Sequence, residues 1–341
     1  MTIREEALPV HGGSDALGAA RWDFSTNSNA SGPCPQVVQA LAQTDATRYP
    51  DPAYVALRQQ LADHHGVAVE RVLVGVSGSE LIARITACVA AQQPQARVWM
   101  PPHHYGDYAT QAMLHGLQRS GTLAQADLVW LCAPGSPLGQ DMACPDDWAQ
   151  LPSQATVVLD CAYAPLQLEG AGRLADWLER DRVWQIWTPN KSLGLCGVRA
   201  AYVIAPGIAS VQQLQAMWWR APSWPLGAHG VALLQAWCEP AVQDWLAASL
   251  QTLRDWKQQQ LALLQGLGWQ CLPSLTNFLV CQPAAQAMGW DAMLQALRAE
   301  GIKLRDCASF GLPGHVRLCV HEPAAQQALQ QIWLRLQEVS A

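Results

Sequence analysis

Thr188, Lys191 and Arg199 have the residue types and spacing to do chemistry. They lie in Trp187-Thr188-Pro189-Asn190-Lys191-Ser192-Leu193-Gly194-Leu195-Cys196-Gly197-Val198-Arg199-Ala200-Ala201-Tyr202. A hydroxyl stands three residues before a lysine, a glycine-broken apolar turn follows, and a guanidinium comes eight residues beyond. An aldehyde cofactor that carries a phosphate needs this set: an amine to condense with the aldehyde, and a hydroxyl and a guanidinium to hold the phosphate. The plain alternative is a lysine in a surface loop, and the composition argues against it. The chain has three lysines, Lys191, Lys257 and Lys303, against eighteen arginines, and Lys191 alone sits in a glycine-rich, apolar setting. A lysine kept where arginine is otherwise used points to an amine that must lose its proton, which a guanidinium does not do.

The elements that position these residues read as short apolar runs alternating with helical segments. The runs are 72–76, 97–100, 128–131, 156–160, 183–187 and 200–204. Strands apolar on both faces and separated by helices imply an α/β three-layer sandwich with a mostly parallel central sheet. Ligands of such sheets sit at the carboxyl ends of the strands. Ser79, Tyr105, Ser136, Asp160 and Lys191 all follow or end a run. Ser77-Gly78-Ser79-Glu80 joins the first run to a helix, so free backbone N–H groups and the positive helix end meet there, which favours a phosphate. By itself that signal is weak, because many βα turns share the composition.

Before the first run lie a polar, glycine-rich stretch, His11-Gly12-Gly13 to Asn29, readable as an arm over a site or as a loose terminus, and the turn Arg48-Tyr49-Pro50-Asp51-Pro52. An amphipathic helix follows with Leu57, Leu61 and His65 every four residues. After Ser223-Trp224-Pro225 a long helical region is broken near Glu239-Pro240 and carries Val242, Leu246, Leu250 and Leu253 on one stripe. It leads to a smaller α+β segment with apolar runs at 276–280, 301–305 and 315–320. The expected organisation is an arm over 1–42, a large domain over 43–235 and a small domain over 236–341, with a soft boundary near 236.

Composition excludes several classes. Half of the 341 residues are apolar and 14% are charged, which argues against disorder. A net charge of -6 without a basic block argues against a nucleic-acid partner. No apolar run approaches the roughly 20 residues of a membrane span, and Met1-Thr2-Ile3-Arg4-Glu5-Glu6 lacks the pattern of a secretion signal, so a cytoplasmic protein is expected. Eleven cysteines spread singly through apolar stretches, without C-x-x-C, read as reduced core residues. His64-His65 and His103-His104 lack a carboxylate cluster to complete a metal shell, so no metal is expected.

In their order these motifs resemble the fold-type I pyridoxal-phosphate enzymes, the aminotransferase class I/II superfamily, over nearly the whole chain. The resemblance implies pyridoxal 5′-phosphate as cofactor, with Lys191 bonded to its aldehyde. It assigns Gly78, Ser79, Glu80, Thr188 and Arg199 to the phosphate, Asp160 to the ring nitrogen, Tyr163 to the ring oxygen and Tyr105 to the ring face. Lys191, Asp160 and Tyr163 are then the catalytic residues, and an Asp160 carboxylate at the ring nitrogen would keep it protonated. Tyr49 is similar to a tyrosine that reaches the phosphate of a neighbouring subunit, which implies a homodimer with shared sites. Ser136 stands where the family has an asparagine near the ring oxygen.

Arg317 resembles the arginine that holds the substrate carboxylate, and Arg305, His11 and Asn27 are further candidates for substrate anions. The nearest likeness is to threonine-phosphate decarboxylase and its relative histidinol-phosphate aminotransferase. It rests on His11-Gly12-Gly13, Asp23-Phe24-Ser25 with Asn27, Arg48-Tyr49-Pro50-Asp51 and the segment 302–308. The reaction this implies first is decarboxylation of L-threonine O-3-phosphate in cobalamin biosynthesis. Transamination of the histidinol-phosphate type is the alternative, and a catalytically silent cofactor-binding relative is the second.

Overall fold

The computed structural model describes residues 11–170, 173–284 and 288–340. The opening residues 1–6, read above for a leader, lie outside the described residues. In chain order the first elements are β1 (Trp22–Asp23), α1 (Pro35–Ala42), α2 (Val55–His65), β2 (Val72–Gly75), α3 (Gly78–Gln92), β3 (Arg97–Trp99), α4 (Gly106–Leu114) and β4 (Gln118–Arg119). Next come β5 (Leu128–Cys132), β6 (Thr156–Asp160), β7 (Trp184–Trp187), β8 (Ala201–Ile204), α5 (Val211–Trp219), α6 (Ala228–Trp237) and α7 (Pro240–Gly266). The last are β9 (Gln270–Cys271), β10 (Phe278–Gln282), α8 (Trp290–Ala299), β11 (Ile302–Lys303), β12 (Arg305–Asp306), β13 (Val316–Cys319) and α9 (Pro323–Ser340).

The central sheet has seven strands in the order β2-β8-β7-β6-β5-β3-β4. Only β8 runs against its neighbours, so the sheet is mostly parallel, as the alternating pattern predicts. Continuous apolar runs form these strands because both faces are covered. On β5, Leu128 and Trp130 join a core with Leu81, Ile82 and Ile85 of α3, while Val129 and Leu131 face the opposite core with Val157 and Leu159 of β6. On β8, Ala201 and Val203 pack toward α3, and Tyr202 and Ile204 toward Leu57 and Leu61 of α2. Alternate side chains of one strand thus serve two cores.

The break read at Glu239-Pro240 is real: α6 ends at Trp237, and Pro240 opens α7, where a missing N–H leaves no intrahelical bond unmade. Val242, Leu246 and Leu253 of the predicted stripe are buried, and Leu250 is packed beside them. A four-stranded sheet, β12-β13-β10-β9, follows α7 in the chain. The structure departs from the sequence reading in two places here. The run expected at 276–280 begins only at Phe278, because Ser274 and Thr276 turn their hydroxyls onto the Phe278 carbonyl. The run expected at 301–305 splits, with β12 joining β13 and β11 pairing in parallel with β1, which the sequence did not reveal.

Candidate active site

The parallel strands end along one edge, and β8 begins there because it runs the other way. Asp160 is the last residue of β6, the 188–191 turn leaves β7, and Arg199 leads into β8, so one edge gathers all of them. Ser77 caps α3 by accepting a hydrogen bond from the Glu80 N–H at 3.1 Å, which sets the helix start at the same edge. At Gly78 a Cβ would come within 3.1 Å of the Thr188 methyl group, so the glycine lets the turn after β7 approach the helix start.

Two adjoining cavities occupy this edge. The inner one is lined by Gly78, Ser79, Tyr105, Ser136, Asp160 and Tyr163, closed on the other side by Thr188, Lys191 and Arg199. The outer one, about 900 Å³, holds His11, Asn27, Arg305 and Arg317 and shares Lys191, Tyr105, Tyr163 and Arg199 with the first. The structure thus brings thirteen of the fifteen residues marked in the sequence around one space.

The two exceptions are Glu80 and Tyr49. Glu80 turns from the cavity to clasp Arg84, each carboxylate oxygen 2.7 Å from a guanidinium nitrogen, and its N–H is taken by Ser77. Its expected place in the phosphate cradle is therefore corrected: the turn offers the cavity Gly78 and Ser79. Tyr49 is 79% exposed, stacked on Trp224 at 4.6 Å, and does not line the cavity of its own chain.

Asp160 sits on the floor of the inner cavity, only 6% exposed. It accepts hydrogen bonds from the Tyr108 hydroxyl at 2.7 Å and from the Ala162 N–H at 2.9 Å. Burial pushes its carboxyl above the ordinary value; the Tyr108 and Ala162 bonds and the Lys191 charge pull it back. Tyr108 stacks on Trp130 of β5 at 4.7 Å, which fixes its hydroxyl. The sequence reading passed over Tyr108, one turn beyond Tyr105 in Tyr105-Gly106-Asp107-Tyr108. The signal available was that spacing, which puts Tyr108 on the buried face of α4.

Lys191 Nζ lies 5.7 Å from the centre of the Tyr163 ring. The Tyr163 hydroxyl accepts from Asn27 Nδ2 at 3.2 Å, so the N-terminal segment reaches the cavity wall that Tyr163 forms. Among the described residues, Lys257 and Lys303 are both committed to carboxylates, Glu169 and Asp15 respectively, each at 2.8 Å. The other lysines therefore serve packing and docking. Thr188 Oγ1 and Asn190 Oδ1 are buried without a hydrogen-bond partner, as is Asn27 Oδ1. Such orphaned atoms beside an amine, a helix start and a buried carboxylate fit a polar, phosphate-bearing ring.

Ser136 does not act as a simple substitute for the expected asparagine. Its hydroxyl accepts from Arg317 Nη1 at 3.2 Å, tying the loop after β5 to an arginine of the outer cavity. Arg317 also donates to the Ser25 carbonyl at 3.3 Å. Arg305 lies directly across the ladder from Arg317, and both guanidinium groups approach the Phe310 ring, at 4.8 Å and 5.5 Å. Arg305 donates to the Asp306 carbonyl and to Ser309 Oγ at 2.8 Å. Burial, then the Arg317 charge, pulls its pKa down.

The arm covers the outer cavity. Gly12 lies so close to Ser25 that a Cβ would meet its carbonyl oxygen at 2.2 Å, and Gly13 donates to Ser25 Oγ at 2.9 Å. Asp15 is held by Arg298 at 2.9 Å and Lys303 at 2.8 Å. Away from the site, the His64 and His65 rings meet edge to face at 4.9 Å.

A family model for aminotransferase class I and II matches residues 21–332. The chain belongs to that family. It is a pyridoxal-phosphate enzyme of fold type I, and its cofactor is pyridoxal 5′-phosphate. Family members similar in sequence include histidinol-phosphate aminotransferases of Jannaschia sp. (strain CCS1), 28% identical with 94% of this chain and 93% of that protein covered, and of Ruegeria sp. (strain TM1040), 29% identical with 90% and 88% covered. Among solved structures, histidinol-phosphate aminotransferase from Sinorhizobium meliloti in complex with pyridoxal-5′-phosphate superposes with a TM-score of 0.80 at 23% identity, over 98% of this chain and 97% of that one. L-threonine-O-3-phosphate decarboxylase from Porphyromonas gingivalis superposes with a TM-score of 0.72 at 20% identity, over 92% and 99%. At these identities the structural likenesses are likenesses of fold. The sequence relatives weigh toward aminotransferase and away from the decarboxylase reading taken first from the loops.

Proposed function

We propose that this enzyme is an aminotransferase of the histidinol-phosphate type, acting on an amine or amino acid that carries a phosphate or second anionic group. The observation that carries this reading is the pair Arg305 and Arg317. Their relative exposures are 5% and 7%, and they lie side by side in the cavity that contains Lys191. Two buried like charges disfavour each other, and a doubly charged anion between or above them relieves the repulsion.

Pyridoxal 5′-phosphate, when bound, supplies a ring that accepts electrons from a bond breaking at the substrate's Cα. Thr188, Arg199 and the N–H groups of Gly78 and Ser79 hold its phosphate, and Tyr105 covers the ring. Asp160 holds a proton at the ring nitrogen, itself fixed by Tyr108 and Ala162. Tyr163, whose hydroxyl accepts from Asn27, would stand at the ring oxygen. Lys191 would supply the amine that moves the proton at Cα. The same residues serve a homodimer in which Tyr49 completes the partner's phosphate site. Its exposure, with that of Trp224 stacked on it and of Val55, Trp218 and Trp219, supports this reading.

A second reading, decarboxylation of L-threonine O-3-phosphate, is favoured by one observation: His11, Gly12 and Gly13, on which the loop likeness to that enzyme rests, line the cavity beside Arg305 and Arg317. Orientation decides between the two, since only the bond aligned with the ring's π system breaks. The test is to incubate the cofactor-loaded enzyme with histidinol phosphate and 2-oxoglutarate, and separately with L-threonine O-3-phosphate without an oxo acid. Glutamate formation in the first supports the aminotransferase. Carbon dioxide release over many turnovers in the second overturns it in favour of the decarboxylase, and no turnover in either leaves a different substrate or a silent relative.

A further inference from the structure

Cys271 and Cys281 stand opposite each other on the antiparallel strands β9 and β10. The Leu272 N–H donates to the Val280 carbonyl at 2.8 Å, so the neighbouring pair is hydrogen-bonded and the cysteines fall at a non-hydrogen-bonded position. There the Cα atoms approach to about 4.5 Å, and side chains are nearest. That spacing lies within the reach of a disulfide. The two Sγ atoms are 2.8 Å apart, with the Cys281 thiol directed at the Cys271 sulfur. Cys281 is fully buried, whereas Cys271 is partly exposed.

The segment between them is not idle. Its Leu275 N–H donates to the Gly139 carbonyl at 2.6 Å, and Pro273 accepts from Gln140 Nε2 at 3.1 Å. Gly139 is packed so tightly here that a Cβ would meet Ser274 Oγ at 2.2 Å. Gly139 stands three residues after Ser136, whose hydroxyl holds Arg317. A bond between the cysteines would therefore close a ring around the segment that clamps the Ser136 loop.

We propose that Cys271 and Cys281 form a reversible dithiol–disulfide pair whose oxidant is a low-molecular-weight disulfide such as glutathione disulfide. Cys271, the accessible member, attacks as thiolate one sulfur of glutathione disulfide and releases one glutathione thiolate, leaving a mixed disulfide. Cys281 then loses its proton and attacks the Cys271 sulfur, expelling the second glutathione. The two cysteines give up two electrons and two protons, and glutathione disulfide becomes two glutathione thiols. The thiol of Cys281 also pulls the Cys271 pKa down, which favours the attacking form. The proposal does not depend on which substrate the enzyme takes.

Both cysteines fall in one tryptic peptide, 258–298, bounded by Lys257 and Arg298 and containing no other cysteine. The cofactor-loaded enzyme is equilibrated in glutathione buffers of rising oxidised fraction, quenched in acid, denatured, alkylated with iodoacetamide and mapped by mass spectrometry. The expected result is conversion of this peptide from doubly alkylated to unalkylated, lighter than the reduced peptide by two hydrogens, and reversal by dithiothreitol. Oxidation is also expected to slow hydrogen exchange at the Leu275 amide. In Cys271→Ser, whose folding is checked by cofactor absorbance, the unalkylated species should vanish. A peptide that stays doubly alkylated in excess glutathione disulfide, or stops at a single glutathione adduct, overturns the proposal. Unchanged exchange at Leu275 in the oxidised enzyme overturns the link to the Ser136 loop.

Discussion

Tyr108 donates its hydroxyl to Asp160 Oδ2 across 2.7 Å, with both side chains buried. This bond holds in place the one carboxylate on the floor of the inner cavity. Tyr108→Phe leaves Asp160 with the Ala162 N–H and is expected to cost about 1–3 kcal/mol of stability. Urea unfolding of the cofactor-free protein measures it.

Asp160 also sets a pH dependence. Its folded pKa lies above the ordinary 3.8, so the ionised group opposes folding at neutral pH, and this opposition fades as pH falls through the raised value toward 3.8. The stability of the cofactor-free protein relative to Asp160→Asn should therefore improve over that window and level off below it. A flat difference across a urea-unfolding pH series would contradict the sign.

Arg317 is expected to bind rather than to react. Arg317→Ala should raise KM and lower kcat/KM by about 3 kcal/mol, roughly a hundredfold, since it leaves a buried anion unpaired. Ser136→Ala removes only the hydroxyl that steadies Arg317 and should raise KM a few-fold, about 1 kcal/mol, with kcat little changed. Steady-state kinetics with whichever of the two test substrates is turned over distinguish the two.

The arm is latched by Asp15, whose carboxyl Arg298 and then Lys303 hold well below the usual range. A lowered carboxyl helps folding above its ordinary value of 3.8 and loses that contribution as pH falls toward the depressed one. Asp15→Ala should speed amide exchange over residues 11–18 and raise KM, because His11 to Ser14 line the outer cavity. Exchange mass spectrometry reads the first effect, and salt should weaken the latch in the wild type.

Tyr49 tests the dimer. Sedimentation is expected to give twice the chain mass of 37.1 kDa, and Tyr49→Ala should weaken cofactor binding about tenfold, near 1.4 kcal/mol. A monomer that binds cofactor with full affinity would remove the shared-site reading.

The sequence by itself determined the alternation of apolar strands and helices and the place of Lys191 at a strand's end. Those properties are local: a strand buried on both faces must be apolar throughout, and a helix start must be capped by a residue such as Ser77. Composition singled out Lys191, and the structure supplied the reason, spending Lys257 and Lys303 on carboxylates. Tertiary structure alone decided the partners. Ser136 meets Arg317 across 181 residues, and Asn27 meets Tyr163 across 136. The reversal of β8, the pairing of β1 with β11 and the facing of Cys271 and Cys281 belong to the same level. None of these leaves a period in the chain, because a hydrogen bond between distant residues depends on where folded elements meet and not on the spacing of either residue from its neighbours.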